Sequence, residues 1–178
     1  MIADSMLTAV VEYRLLNPER RNEMLDTYSA KSGGLVPVWT LEIQTLKEDT
    51  DRILDAVMAV HPLGYGRYHR NGSVSAVGAE TTTPQANSTT MTHKSKYLPG
   101  AAETYPMVEL KISIERDIVA LEQVMDAIIG VHHYEEPVIF VREDWASRTN
   151  YDPKSKNPHR WWNNGRGLPD TISLGGQT

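Results

Sequence analysis

The sequence predicts an α+β fold, a ferredoxin-like βαββαβ sandwich, and three observations point there. The first is an internal repeat. Ile53–Pro62 aligns with Val124–His133 at a constant offset of 71 residues, with Asp, Ala, Val and His identical at Asp55/Asp126, Ala56/Ala127, Val60/Val131 and His61/His132. The same offset places Leu41 and Ile43 on Ile112 and Ile114. The second is strand-type alternation before each repeated helix. The third is the stretch Ile118–Arg142, an apolar-striped helix that runs into His132-His133-Tyr134-Glu135-Glu136-Pro137 and then a short apolar strand. Two strand–helix–strand units joined by a hairpin give βαββαβ, and right-handed crossovers fix its topology.

Taken in order, residues 1–37 read as an N-terminal helical arm. Met6, Val10, Val11 and Leu15 form one stripe, Asn17-Pro18 restarts the pattern, and Gly33-Gly34 would stop the second helix. Val38–Leu46 alternates, with Leu41 and Ile43 on one face and Glu42 and Gln44 on the other. Lys47–Thr50 is a polar turn, and Asp51–Val60 is a helix that stops at His61-Pro62. Tyr65–Val77 alternates loosely around the turn signal Asn71-Gly72. Residues 79–106 hold few large apolar side chains and read as a long hairpin excursion, with a Thr-rich strand near Ser88–Thr92. Val108, Leu110, Ile112 and Ile114 alternate with Glu109, Lys111 and Ser113, which marks a second half-buried strand. In the helix that follows, Ile118, Leu121, Met125, Ile128 and Ile129 recur at helical spacing. Pro137 forbids further helix, and Val138–Val141 is a strand. From Asp144 the chain is polar and irregular, and Trp161 and Trp162 are its candidate anchors. The expected division is therefore an arm at 1–37, a ferredoxin-like domain at 38–145 and an extended tail at 146–178.

Composition narrows the function classes. The 178 residues carry a net charge of −5 and no cysteine. Phosphate binding needs a basic face, so nucleic acid is not the expected partner. Without cysteine there are no disulfides, thiolate metal sites or Cys nucleophile. No apolar run approaches the ~20 residues of a membrane span. The first residues lack the basic start of a signal peptide, so the expected location is cytoplasmic.

The repeat predicts that His61 and His132 lie at opposite ends of the sheet, because a pseudo-twofold makes the two helices antiparallel. One candidate cluster gathers His132, His133, Tyr134, Glu135 and Glu136 beside His93 of the hairpin. A second holds His61 and His69. Imidazole and carboxylate groups suit a divalent metal ion, with His132 and Glu135 as the candidate ligands, and they equally suit acid–base chemistry at neutral pH. Against both stands a structural reading in which His132 terminates its helix. Arg160, Trp161 and Trp162 of the tail combine charge and stacking, which serves an anionic or aromatic ligand or an interface latch. Gly64-x-Gly66 follows a helix rather than preceding one, so it is not a phosphate loop.

The stretch "helix–His-His-Tyr-Glu-Glu-Pro–strand" resembles the His-Pro-Tyr-Glu-x-Pro signature of the CutA and PII-like superfamily. It is most similar to the CutA-like domain inserted in NIF-type dinuclear-metal proteins. His132, Tyr134, Glu135, Glu136 and Pro137 carry the match, and His133 stands where the family has Pro. Gly64-Tyr65-Gly66-Arg67 adds to it. The resemblance covers about residues 38–145. It implies a trimer with sheets facing inward and a small-molecule or divalent-metal site between subunits. The dinuclear-metal motif of the NIF-type proteins and the basic ATP loops of PII proteins have no counterpart here. Two alternatives stand beside this reading: a small enzyme with an intersubunit pocket closed by the tail, and a structural subunit of a larger complex.

Overall fold

A computed structural model describes residues 24–89 and 100–163 of the chain. They fall into two compact units, Val36–Ala146 and the flanking segments up to Leu35 and from Ser147.

The unit Val36–Ala146 is built on strand β2 (Gly33–Thr45), helix α1 (Thr50–Met58), the short strands β3 (Ser73–Val74) and β4 (Gly78–Thr82), strand β5 (Glu103–Glu115), helix α2 (Ile118–Val131) and strand β6 (Ile139–Thr149). Strand β1 (Ser29–Ala30) precedes them and pairs antiparallel with the start of β2. In the sheet β6 pairs β2, β2 pairs β5, and β3 and β4 both pair β5. This is the ferredoxin-like order, with each repeat contributing strands on both sides of the other. β2 and β5 are antiparallel from Val38↔Glu115 to Thr45↔Val108. Leu41 pairs with Ile112, its own mate at the offset of 71, so the pseudo-twofold axis passes through that pair.

Alternation does the rest. Leu41 and Ile43 of β2 and Leu110, Ile112 and Ile114 of β5 point to the helices and meet Ile53, Leu54 and Val57 of α1 and Val124 and Ile128 of α2 in one core. The opposite face carries Thr40, Glu42, Gln44, Glu109, Lys111, Ser113 and Glu115 in register. A short 3-10 turn, Lys47–Asp49, leads into α1, and the Thr50 hydroxyl closes it by donating to the Lys47 carbonyl at 2.8 Å. α2 is capped by Asp117, whose carboxylate accepts from the Val119 N–H.

Several elements differ from the sequence reading. Gly33-Gly34 opens β2 instead of ending a helix, and Ser29–Ala30 is strand. The reason is close approach: a Cβ on Gly33 would lie 2.5 Å from the Arg148 carbonyl oxygen, so glycine here serves strand packing. Tyr65 and Tyr68 form an isolated bridge in a tight loop, and the strand proper begins at Ser73. Between Val74 and Gly78 the register to β5 shifts by one residue, a bulge that the Ser75 hydroxyl braces by accepting from the Glu109 N–H. Ser88 is in no strand, and residues 90–92 of the expected Thr-rich strand lie outside the described residues. β6 continues through Asp144 to Thr149, where the sequence looked irregular. Its outer half is an edge strand, so apolar alternation was not required of it. In α2 the buried stripe is Ala120, Val124 and Ile128, while Ile118 and Ile129 are about half exposed. The expected first helices lie mostly in 1–23, outside the described residues.

In the other unit, Leu35 N–H reaches the Tyr28 carbonyl, and Asn150 donates to Ser32 and Ala30 carbonyls. Tyr151 stacks on Trp161 at 6.0 Å and meets Trp162 edge-on at 5.3 Å.

Candidate functional site

The turn after α2 is built around His132. Its Nδ1 accepts the Tyr134 N–H at 3.0 Å, so the ring is the tautomer that donates from Nε2, and Nε2 meets the Gln44 carbonyl at 3.0 Å. Burial lowers its pKa below the ordinary 6.5, against the opposing pull of the Gln44 carbonyl and Asp49. His132 is therefore a neutral clasp between α2 and the end of β2.

His61 repeats the arrangement. Its Nδ1 accepts the Leu63 N–H at 3.0 Å, and its Nε2 donates to Glu115 at 2.8 Å. Leu63 is the repeat mate of Tyr134, and Glu115 is the mate of Gln44. Each histidine thus ties its own helix to the strand of the other repeat. Glu115 pairs with Val38, six residues from Gln44 on β2, so the two clasps stand about 20 Å apart at ~3.3 Å per strand residue. That is the opposite-ends arrangement expected from the repeat. Glu115 is held below the usual carboxylate range, first by a backbone hydrogen bond and then by His61.

Around His132 the structure gathers His133, Tyr134, Asp49, Arg52 and Glu80. His133 Nδ1 lies 3.4 Å from Asp49 Oδ2, while Arg52 pairs with Asp49 Oδ1 at 2.8 Å. The Tyr134 ring meets His132 edge-on at 5.0 Å. Burial pushes the Tyr134 hydroxyl well above its ordinary pKa, and Glu80 adds to the rise. Glu80 is the acceptor beside that hydroxyl.

Glu135 turns away from this group. It accepts the Thr89 N–H at 2.8 Å and the Thr89 hydroxyl at 2.9 Å, and these bonds lower its pKa. Glu136 is exposed. The candidate metal pair His132 and Glu135 is accordingly not assembled: both ring nitrogens of one are engaged, and the other faces Thr89. Among the described residues no three His, Asp or Glu side chains form a metal-holding group. As placed here, His132 and Glu135 do not share a metal ion.

His69 is exposed and does not join His61, whose nitrogens are both engaged. Arg160, Trp161 and Trp162 belong to the other unit, where Trp161 and Trp162 pack edge-on at 5.7 Å. His93 lies outside the described residues.

A second polar group sits on the helix-free sheet face. Glu42, only 7% exposed, takes Lys111 at 2.6 Å from its register partner position and Arg142 from β6. Nearby, Arg116 reaches the Val38 and Asp144 carbonyls and stacks over Trp145 at 4.5 Å. Sequence reading passed over Gln44, Asp49, Glu80 and Glu115. The offset of 71 held the signal for two of them, since it maps the partner of one histidine onto the partner of the other.

No family model matches the sequence, and no curated protein matches it. Solved structures similar to the chain include a Bacillus cereus protein related to NIF3, at TM-score 0.48 and 17% identity over 63% of this chain and 27% of that one. CutA1 from Oryza sativa gives TM-score 0.43 and 13% identity over 61% and 81% of the two chains. The B. subtilis GlnK–ATP complex gives 0.37 and 11% over 61% and 84%. The fold is ferredoxin-like by its strand order. The chain spans about a quarter of the B. cereus protein's length, 27%. The fold assignment itself rests on the strand order and register above. Among the described residues, no helix is long and apolar enough to cross a membrane.

Proposed function

We propose that the chain is a self-associating, trimeric binding or regulatory protein whose small-ligand site lies at the His132–Pro137 end, between subunits. The observation that carries this reading is the helix-free sheet face. Glu109, Lys111, Ser113 and Glu115 are exposed along the second half of β5, and Phe140 on β6 is 51% exposed. Their charges are of both signs, with Glu42 held between Lys111 and Arg142. Such a face suits a second copy of itself better than a single-sign ligand such as nucleic acid.

An acid–base role at His132 or His61 would need a free ring nitrogen, and both nitrogens of each are engaged. The favoured reading is of a binder, with polar groups at one sheet end and assembly through the face.

Native mass spectrometry of the full chain, with elemental analysis of the same sample, tests it. A trimer is the expected mass. A monomer across the micromolar range overturns the assembly and the intersubunit site together.

A further inference from the structure

The net charge of −5 that speaks against nucleic acid is not spread evenly along the chain. Residues 36–146 hold 9 Lys and Arg against 16 Asp and Glu. Residues 147–163 reverse the balance, with Arg148, Lys154, Lys156 and Arg160 against Asp152 alone. A basic segment attached to an acidic domain is the kind of charge asymmetry that accompanies binding of a polyanion.

This segment is closed on itself by hydrogen bonds. Asp152 Oδ1 accepts the Lys154 N–H, and the Asp152 carbonyl accepts the Ser155 N–H, both at 3.0 Å. Ser155 Oγ accepts the Asn157 N–H, and Asn157 Oδ1 accepts the His159 N–H. Asn163 then donates from Nδ2 to the Ser155 and Asn157 carbonyls, each at 2.7 Å, and joins the end of the loop to its middle. Three rings stand on this frame. Tyr151 and Trp161 stack at 6.0 Å with 26° between their planes, and Trp162 meets both edge-on. Trp162 is the partly buried member, whereas Tyr151 is 63% exposed and Trp161 54%. The stacked pair therefore offers ring surface that packing within the trio does not use. Lys154, Lys156 and His159 of the same loop are exposed as well.

The two features together select a ligand. Flat rings held in place take a flat partner, and the cations of the loop favour an anionic one. A neutral sugar would use the rings and leave the lysines idle, and an inorganic anion would do the reverse. A nucleobase carrying phosphate uses both, through base–aromatic stacking and phosphate pairing.

We infer that the Tyr151–Asn163 loop binds phosphorylated nucleobases, as free nucleotide or as a single strand. A base stacks on the Tyr151–Trp161 pair, and Lys154, Lys156 and Arg160 take the phosphates. The site is separate from the one proposed at the His132–Pro137 end and requires no assembly.

Fluorescence anisotropy of a short labelled oligodeoxythymidine strand, titrated with the full chain at low salt, tests it. Binding is expected, and Trp161→Ala is expected to weaken it by about 5- to 150-fold, while Trp161→Phe, which keeps a ring, retains most of it. Lys154→Gln and Lys156→Gln are each expected to reduce the slope of log affinity against log salt by about 0.7. These two leave the rings in place, so they decide the matter even if Trp161→Ala disrupts the loop. Displacement of the strand by thymidine monophosphate identifies the ligand as a single nucleotide, and its failure to displace identifies a strand; both support the site. Equal displacement by ribose 5-phosphate, which has no base, overturns it, as does equal affinity for a duplex, whose bases are already stacked. No binding of the strand, or an unchanged salt slope in both lysine variants, also overturns it. Co-sedimentation with phosphatidylserine vesicles in the absence of strand binding would make the loop a membrane contact instead and overturn the inference.

Discussion

Each of the two repeat-related histidines has both ring nitrogens engaged, and this makes them joints rather than reagents. His132→Phe would leave the Gln44 carbonyl and the Tyr134 N–H without partners. A loss of about 1–3 kcal/mol is expected for groups so orphaned, read by urea unfolding. Burial also sets the sign of the pH effect. Folded His132 has a pKa below the ordinary 6.5, so the unfolded chain takes up its proton first as pH falls. The contribution is fully present above about pH 6.5 and is lost as pH falls from there toward the folded value. The slope of stability against pH in that window should be shallower in His132→Phe than in the wild type. An unchanged slope would mean that His132 titrates alike in both states. The sequence named these histidines correctly as a repeated pair. It could not show that they are closed, because the closing groups are backbone atoms of the other repeat and of the turn itself.

At the scale of the element, boundaries follow local chemistry that single residues reveal unevenly. Asp117 was silent in the sequence reading yet caps α2. Asp117→Ala should cost about 1 kcal/mol, seen as a lower urea midpoint with an unchanged m-value. Gly33 misled that reading, since Gly-Gly stops helices and also lets strands pass closely. Gly33→Ala places a Cβ against a backbone carbonyl that cannot yield as a side chain would. The expected result is loss of amide protection at the β1–β2 hairpin and at the end of β6, with the core amides near Leu41 and Ile112 unchanged. The stretch Asp144–Thr149 was unreadable as strand because an edge strand needs no apolar stripe. The alternation of β2 and β5, buried on one face, was fully legible.

For the whole molecule, the core cluster is the common foundation of both repeats. Ile128 is fully buried in it, and Ile128→Ala should cost about 2–5 kcal/mol by equilibrium unfolding. Assembly is a separate matter. Lys111→Glu sets a second carboxylate beside Glu42 on the helix-free face, so it is expected to shift the native mass toward monomer while circular dichroism keeps its shape. Retained assembly would move the interface elsewhere. The fold was readable because duplication wrote it twice. The site was only partly readable, because Asp49, Glu80 and Gln44 have no motif around them and meet the turn only through the sheet.

β5 lies between β2 and the β3–β4 edge, and β2 lies between β5 and β6. Apart from the two-residue β1 beside β2, neither half of the chain, taken alone, therefore holds a strand that pairs with its own long strand. Cut in the connection between β4 and β5, the protein would become two peptides that are each unfolded and fold only on meeting. The duplicated architecture is thus a ready-made split reporter, whose signal would depend on bringing its two halves together.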